Sequence, residues 1–407
     1  MAIQQDIIEN LIRFDQMARE DGKKYPLKRF LFNRLEYLLT QTRQMAGISG
    51  LRGTGKTVLL RQLSIELDHA FYISADTLPP RTDLFELAEL LKSTLGVRYL
   101  IIDEIHAILE WQGHLKKITD FTDIRVLFTS SSSLELMEGR YDLSRRLTMQ
   151  HLPLFSFREY LMFGKSADFP VVSLDEILGH SQDIYRQVYS YEPEFREYSS
   201  LRAMPACLES PLPSVVTAII EKILQKDLLS SAKLSQEDIL QIRSVLLFLA
   251  RAGIEGCSYS SVSRNLGITK YKAQQYIALL QSASLLNLVL PYGANVLPEP
   301  KILFTPVLRN ILAQGIDADR LTGTMREEFF IHHVLGTGLT VNYLKSLRGQ
   351  KLPDYIVFHG EKKLIFEIGG AGKGAAQFKG VEGREKVILT QPGVQKGIPL
   401  ILFGFLW

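Results

Sequence analysis

The clearest chemical signal in the chain is Gly50-Leu51-Arg52-Gly53-Thr54-Gly55-Lys56-Thr57. The pattern GxxxxGK[ST] wraps phosphate. Its glycines let backbone N–H groups curl around an anion where side chains would collide. A helix beginning near Lys56 would aim the positive end of its dipole at the same charge. On this reading Lys56 meets the β- and γ-phosphates of ATP and the Thr57 hydroxyl holds Mg²⁺. Gly50, Arg52, Gly53, Thr54, Gly55 and Val58 complete the cradle.

A second group fits the first. Arg98 to Glu104 reads RYLIIDE, an apolar run ending in two acids. Asp103 at the carboxyl end of a strand is placed to join the Mg²⁺ shell, and Glu104 to orient the attacking water. His106 follows closely enough to tune Glu104. The run IRVLFTSSS ends in Thr129 and Ser130, either of which is a candidate hydrogen-bond partner for the γ-phosphate or the water. Arg145 or Arg146 would neutralise charge on the transferring phosphoryl group, in cis or from a neighbouring subunit.

These residues must be held by a framework. The runs at 45–49, 70–75, 97–103, 124–130 and 148–152 are short, apolar and β-rich, with helical runs between them. Continuous apolar strands alternating with helices predict a parallel sheet covered on both faces. An additional strand, carrying Thr129, is expected between the phosphate-loop strand and the Asp103 strand. Residues 1–43 read as helical, with apolar spacing from Tyr25 to Thr42.

At 407 residues the chain calls for two or three domains. It is 46% hydrophobic and 22% charged, which excludes a disordered or fibrous protein. A formal net charge of +3 is too small to imply nucleic acid, so any basic surface would be local. Two cysteines fifty residues apart, Cys207 and Cys257, form no disulfide framework. The opening residues lack a signal-peptide pattern, and Ile398–Trp407 is half the length of a membrane span. A cytoplasmic protein with no membrane partner is expected.

The phosphate loop, Asp103-Glu104, the TSSS strand end, Arg145-Arg146 and the string Pro153-Leu-Phe-Ser-Phe-Arg-Glu-Tyr160 together resemble prokaryotic AAA-type ATPases with nuclease-fold C-terminal domains. The resemblance is strong over 25–165 and weak after 200. It implies an α/β ATPase core with its N-terminal helices (1–160), a helical lid-like segment (161–228), a winged-helix segment (229–315) and a restriction-endonuclease-like α/β domain (316–407). Members often carry two consecutive arginines in the loop, whereas here only Arg52 is present.

The residues of the second half support parts of that scheme. Tyr259 to Leu290 reads as helix, turn at Gly267, helix and β-like run, the order of a winged helix-turn-helix. Lys270, Lys272 and Gln274 would start its recognition helix and meet double-stranded DNA, unless the segment serves only for packing. Further on, Asp354 and Glu367, with Glu327 or Glu328, match the acids by which a nuclease of the PD-(D/E)xK kind gathers a divalent metal. The lysine position holds Gly369 instead, and Lys373 or Lys379 are the substitutes. A degenerate site is therefore expected.

Three functions compete. One is an ATP-driven switch engaging DNA, a protein partner or further copies of the chain. The others are an ATP-gated nuclease and a non-hydrolysing ATP-binding interaction module.

Overall fold

The structure is a computed structural model that describes residues 2–130, 143, 145–210, 213–229, 234–293, 299–313, 318–344, 352–369, 385–390 and 397–407. The chain divides into two compact units, Met1–Leu152 and Pro153–Trp407.

In the first unit the five β-rich runs become β1 (Met45–Ser49), β2 (Ala70–Ser74), β3 (Tyr99–Asp103), β4 (Arg125–Thr129) and β5 (Leu147–His151). All neighbours are parallel, in the order β2-β3-β4-β1-β5. The Thr129 strand does lie between the phosphate-loop strand and the Asp103 strand. Two apolar layers explain the continuous hydrophobic runs. Leu100, Ile102, Val126 and Phe128 face a core completed by Leu87, Leu91 and Leu115. The alternate residues Ile48, Ile101 and Leu127 face another, with Leu35, Leu59 and Leu63. Period-two alternation thus puts β1 to β4 between two apolar layers, while β5 packs only partly buried residues against the first.

Two N-terminal helices form, α1 (Ala2–Gly22) and α2 (Phe32–Gln41). The helical spacing from Tyr25 is not realised before Phe32. Pro26 disfavours a helical Tyr25, and the stretch between contacts Gln62 and Glu66 and, through Arg29, the phosphate loop. Helix α1 lies along the free edge of β2. Asp15 Oδ1 accepts the Tyr72 N–H at 2.8 Å, and Arg19 donates to the Ala70 carbonyl. Side chains thereby answer two backbone groups of a strand edge that, among the described residues, no other strand pairs. The remaining long helices of this unit are α3 (Lys56–Glu66), α4 (Leu84–Leu95) and α5 (Trp111–Phe121).

The second unit contains helices 157–165, 174–188 and 236–251, then helices 259–266 and 270–282 and the antiparallel hairpin β6 (Leu286–Val289) and β7 (Lys301–Phe304). Ser235 caps the helix that starts at Gln236, at the end of the serine- and charge-containing stretch 229–238. Part of it (230–233) lies outside the described residues. Next come the helix Ala318–Gly336 and the strands β8 (Thr340–Tyr343), β9 (Tyr355–His359), β10 (Lys362–Ile368), β11 (Glu385–Thr390) and β12 (Ile398–Pro399). Strands β8, β9 and β10 are an antiparallel meander, whereas β11 runs parallel to β10 and β12 parallel to β11. The apolar Leu400–Phe405 is a buried short helix, with the Phe403 ring tilted against Phe330 and edge-on to Phe366. Among the described residues no helix is long and apolar enough to cross a membrane.

Candidate nucleotide site

Strand β1 delivers the chain into a loop that only glycine can follow. Gly50, Gly53 and Gly55 have φ of 144°, 80° and 92°. A Cβ on Gly50 would stand 2.3 Å from the Leu152 carbonyl oxygen, so the positive φ and the close approach both require glycine there. Helix α3 starts at Lys56 with no side-chain cap, which leaves its first N–H groups for an anion. Lys56 is buried and folds over the loop, its Nζ donating to the carbonyls of Gly50 at 2.6 Å and Leu51 at 3.1 Å. Thr54 Oγ1 donates to the Leu51 carbonyl at 2.9 Å, and Val58 is half-buried in the first helical turn.

The loop is braced by a residue outside the motif. Arg29 is buried, and its Nη1 donates to the Thr54 carbonyl at 2.6 Å. Sequence reasoning missed it, because an arginine in a run of apparently helical spacing reads as a solvated residue.

Asp103 gathers three hydroxyls. Thr57 donates to its Oδ2 at 2.7 Å, Tyr72 to the same oxygen at 3.1 Å, and Thr129 to its Oδ1. Thr57 and Asp103 thus meet as expected of residues sharing one ion, and a hydroxyl beside a carboxylate is the hard-oxygen donor set that suits Mg²⁺. Burial, and then the Asp103 carboxylate, push the Tyr72 phenol well above its ordinary value, so it stays protonated and donating. Tyr72 was not singled out from the sequence. It lies on the neighbouring strand, and only the parallel register Ser74↔Asp103 brings the two together.

Glu104 follows with φ of 52°, and its N–H is held by Thr129 Oγ1 at 2.9 Å. Its carboxylate stands between Arg52 Nη1 and His106 Nε2, each 3.4 Å away. Thr129 is therefore turned to the Asp103-Glu104 pair, fixing one carboxylate and the other residue's backbone. Ser130 is buried and its N–H is bonded to the Ile48 carbonyl at 3.1 Å.

Arg145 is not brought to this site within the chain. Arg145 and Arg146 precede β5, on the amino edge of the sheet, while the loop leaves β1 at the carboxyl edge. The five residues of β5 separate them by about 16 Å at ~3.3 Å per residue. Arg145 is exposed, and Arg146 Nε pairs with Asp120 at 2.7 Å. A role in cis for Arg145 is thus corrected by the strand direction.

The acids of the second unit are only partly assembled. Glu328 is buried in an ion pair with Arg309 at 2.7 Å and also accepts the Phe304 N–H at 2.8 Å. Its carboxylate is committed to the helix–hairpin junction, so its assignment beside Asp354 is corrected. Glu327 is the acid on that side: Tyr355 donates to it at 2.7 Å and Lys301 stands 3.3 Å away. Asp354 Oδ2 accepts the Ile368 N–H at 2.8 Å, and Glu367 is buried on β10. Among the described residues no three His, Cys, Asp or Glu side chains form a group that would hold a metal ion. Lys373 and Lys379 lie outside the described residues.

Lys270 pairs with Glu299, and Lys272 Nζ stands 3.6 Å from Asp238. The polar side chains of Pro153–Tyr160 are structural. Ser156 caps its helix with Glu159 and donates to the Trp407 carbonyl at 2.8 Å, which Arg158 also contacts at 3.2 Å. Tyr160 donates to Glu197 at 2.8 Å.

Comparison with known proteins agrees with the loop geometry. A family model described as an AAA domain matches residues 42–161, and one described as Domain of unknown function (DUF8612) matches residues 193–306. The uncharacterized protein MJ1637 of Methanocaldococcus jannaschii is 30% identical over 299 residues, which are 67% of this chain. The match spans 63% of that protein's own length. Aligned solved structures include the Aeropyrum pernix Orc1 protein in complex with DNA, at 15% identity over 71% of this chain and 93% of that one, with a TM-score of 0.29. Another is AMPPCP-bound DnaA from Aquifex aeolicus, at 16% identity over 63% and 89%, with a TM-score of 0.26. At such TM-scores nothing about this chain's function follows from either. Residues 42–161, which carry the five-stranded parallel sheet and the glycine loop, are the part of the chain that is similar to an AAA domain.

Proposed function

We propose that the first unit binds Mg²⁺-ATP and hydrolyses it, and that turnover switches the way the second unit engages DNA or a protein partner. The observation that carries this reading is the Thr57 hydroxyl on Asp103 at 2.7 Å, beside the glycine loop folded under Lys56. Thr57 and Asp103 would hold the Mg²⁺. When bound, the ion neutralises negative charge between the β- and γ-phosphates. Lys56 exchanges the two loop carbonyls for phosphate oxygens. Glu104 orients a water on the γ-phosphorus and accepts its proton; the water's oxygen bonds to phosphorus as the bond to the ADP oxygen breaks.

The three helices over 236–282 followed by the hairpin β6–β7 support the winged-helix reading. Because Lys270 and Lys272 are already engaged by Glu299 and Asp238, a protein partner is favoured over a duplex at that helix. The helix 318–336, the antiparallel meander and the parallel β11 support the nuclease-like fold. The commitment of Glu328 to Arg309 argues against cleavage.

The test is Mg²⁺-dependent ATP turnover in wild type, Lys56→Ala and Glu104→Gln, with and without double-stranded DNA. Lys56→Ala should lose nucleotide binding, and Glu104→Gln should keep binding and lose turnover. Tight ATP binding by Lys56→Ala would sink the assignment.

A further inference from the structure

We propose that Arg52 distinguishes ATP from ADP, its guanidinium exchanging the Glu104 carboxylate for the terminal phosphate. This rests on the nucleotide-site reading above and adds a residue role to it. Arg52 is inside the loop, yet its Nη1 reaches Glu104 Oε1 at 3.4 Å. Glu104 stands one residue beyond Asp103, at the end of the cradle where the γ-phosphate must be attacked. The guanidinium that touches Glu104 is therefore at the γ end of the loop.

The pair is suited to exchange. Its side chains are 15% and 22% exposed, so solvent screens it only in part, but 3.4 Å is long for a charge-assisted hydrogen bond. A phosphate group offers the planar guanidinium a better acceptor. Glu104's backbone is anchored on Thr129 at 2.9 Å, so its carboxylate is free to turn while the residue stays in place. His106 remains against the other oxygen at 3.4 Å. The amino-edge position of Arg145 leaves the phosphoryl group without that arginine in cis, and Arg52 fills the need from within the loop.

The exchange has two effects at once. It adds a hydrogen-bond donor to the γ-phosphate, and it releases the Glu104 carboxylate to accept a water proton. ADP has no group to take Arg52 and leaves the Arg52–Glu104 pair intact.

The experiment is equilibrium binding of ADP and of a non-hydrolysable ATP analogue, with Mg²⁺, to the full chain and its variants. Arg52→Ala should weaken the analogue roughly 10- to 100-fold, the worth of one hydrogen bond to a charged group. It should leave ADP within about twofold. Arg52→Lys should recover part of the difference. Glu104→Gln, which removes the carboxylate's charge from Arg52 and keeps the guanidinium, should tighten the analogue and not ADP, and this gain should vanish when combined with Arg52→Ala. Equal weakening of both nucleotides by Arg52→Ala, or an unchanged ratio, overturns the role of Arg52 while leaving the nucleotide site standing. Failure of wild type to bind either nucleotide overturns both.

Discussion

The phenol of Tyr72, on the edge strand β2, donates to Asp103 Oδ2 at 3.1 Å, sharing that oxygen with Thr57. The bond holds the carboxylate from the neighbouring strand. Tyr72→Phe keeps the buried ring and deletes only the donor. The Mg²⁺ concentration for half-maximal ATP turnover should rise about three- to tenfold, the scale of one hydrogen bond, while affinity for metal-free nucleotide stays put. An unchanged Mg²⁺ requirement would leave the phenol as packing.

The buried pair Arg309–Glu328 gives a stability prediction. Arg309 Nη1 also donates to the carbonyls of Leu249 at 2.6 Å and Ala252 at 2.8 Å, closing the end of the helix 236–251. Glu328→Ala would strand a buried guanidinium and should destabilise the second unit by about 3–5 kcal/mol. Chemical denaturation measures this, and a joint apolar replacement of both residues should cost less. A variant of native stability that lost a metal-dependent cleavage would instead return Glu328 to a catalytic site.

His333 supplies a pH dependence. Burial holds the ring down at about 4, against an ordinary 6.5, and its Nδ1 donates to the Phe329 carbonyl at 2.8 Å. Above 6.5 the ring is neutral whether the chain is folded or not, and its contribution is fully present. As pH falls from 6.5 towards 4 the unfolded chain takes up the proton first, so stability is lost over that window. Comparing Tm of wild type and His333→Phe across it should show a shallower slope for the variant. Parallel curves would exclude the residue as a source of the dependence.

Lys270 and Lys272 are each held by an acid of their own unit, and both pairs are partly exposed. Their joint replacement by alanine should cost less than about 1 kcal/mol per pair. Duplex DNA affinity and its salt slope should barely move. A fall in both would mean that the ion pairs open on DNA and that the helix 270–282 is a reading head after all.

The sheet and its site were legible to different depths. Strands β1 to β4 were readable because each is a nearly unbroken apolar run, and burial on both faces demands that; β5, the half-buried edge strand LTMQH, is mixed. The loop and Asp103-Glu104 were readable because local spacing alone places them. Tyr72 and Arg29 were not, since each reaches the site across the fold from a distant position in the chain. The in-cis alternative for Arg145 fails for a related reason: adjacency to a strand says nothing about which end of the sheet the residue occupies. For Glu328 the helical period did not say which of two neighbouring acids faces β9. That was decided by Arg309, which draws Glu328 towards Phe304 and leaves Glu327 to Tyr355.

The sheet ends at β2 on a row of backbone groups answered by Asp15 and Arg19 of α1. Such a closure works like a zip fastened by side chains, and it is undone by losing one helix. A chain trimmed of α1 would present β2 as a template for strands from other molecules. It would also slacken the strand that carries Tyr72. Self-association and a weakened metal site would then arise together, from the same missing twenty-one residues.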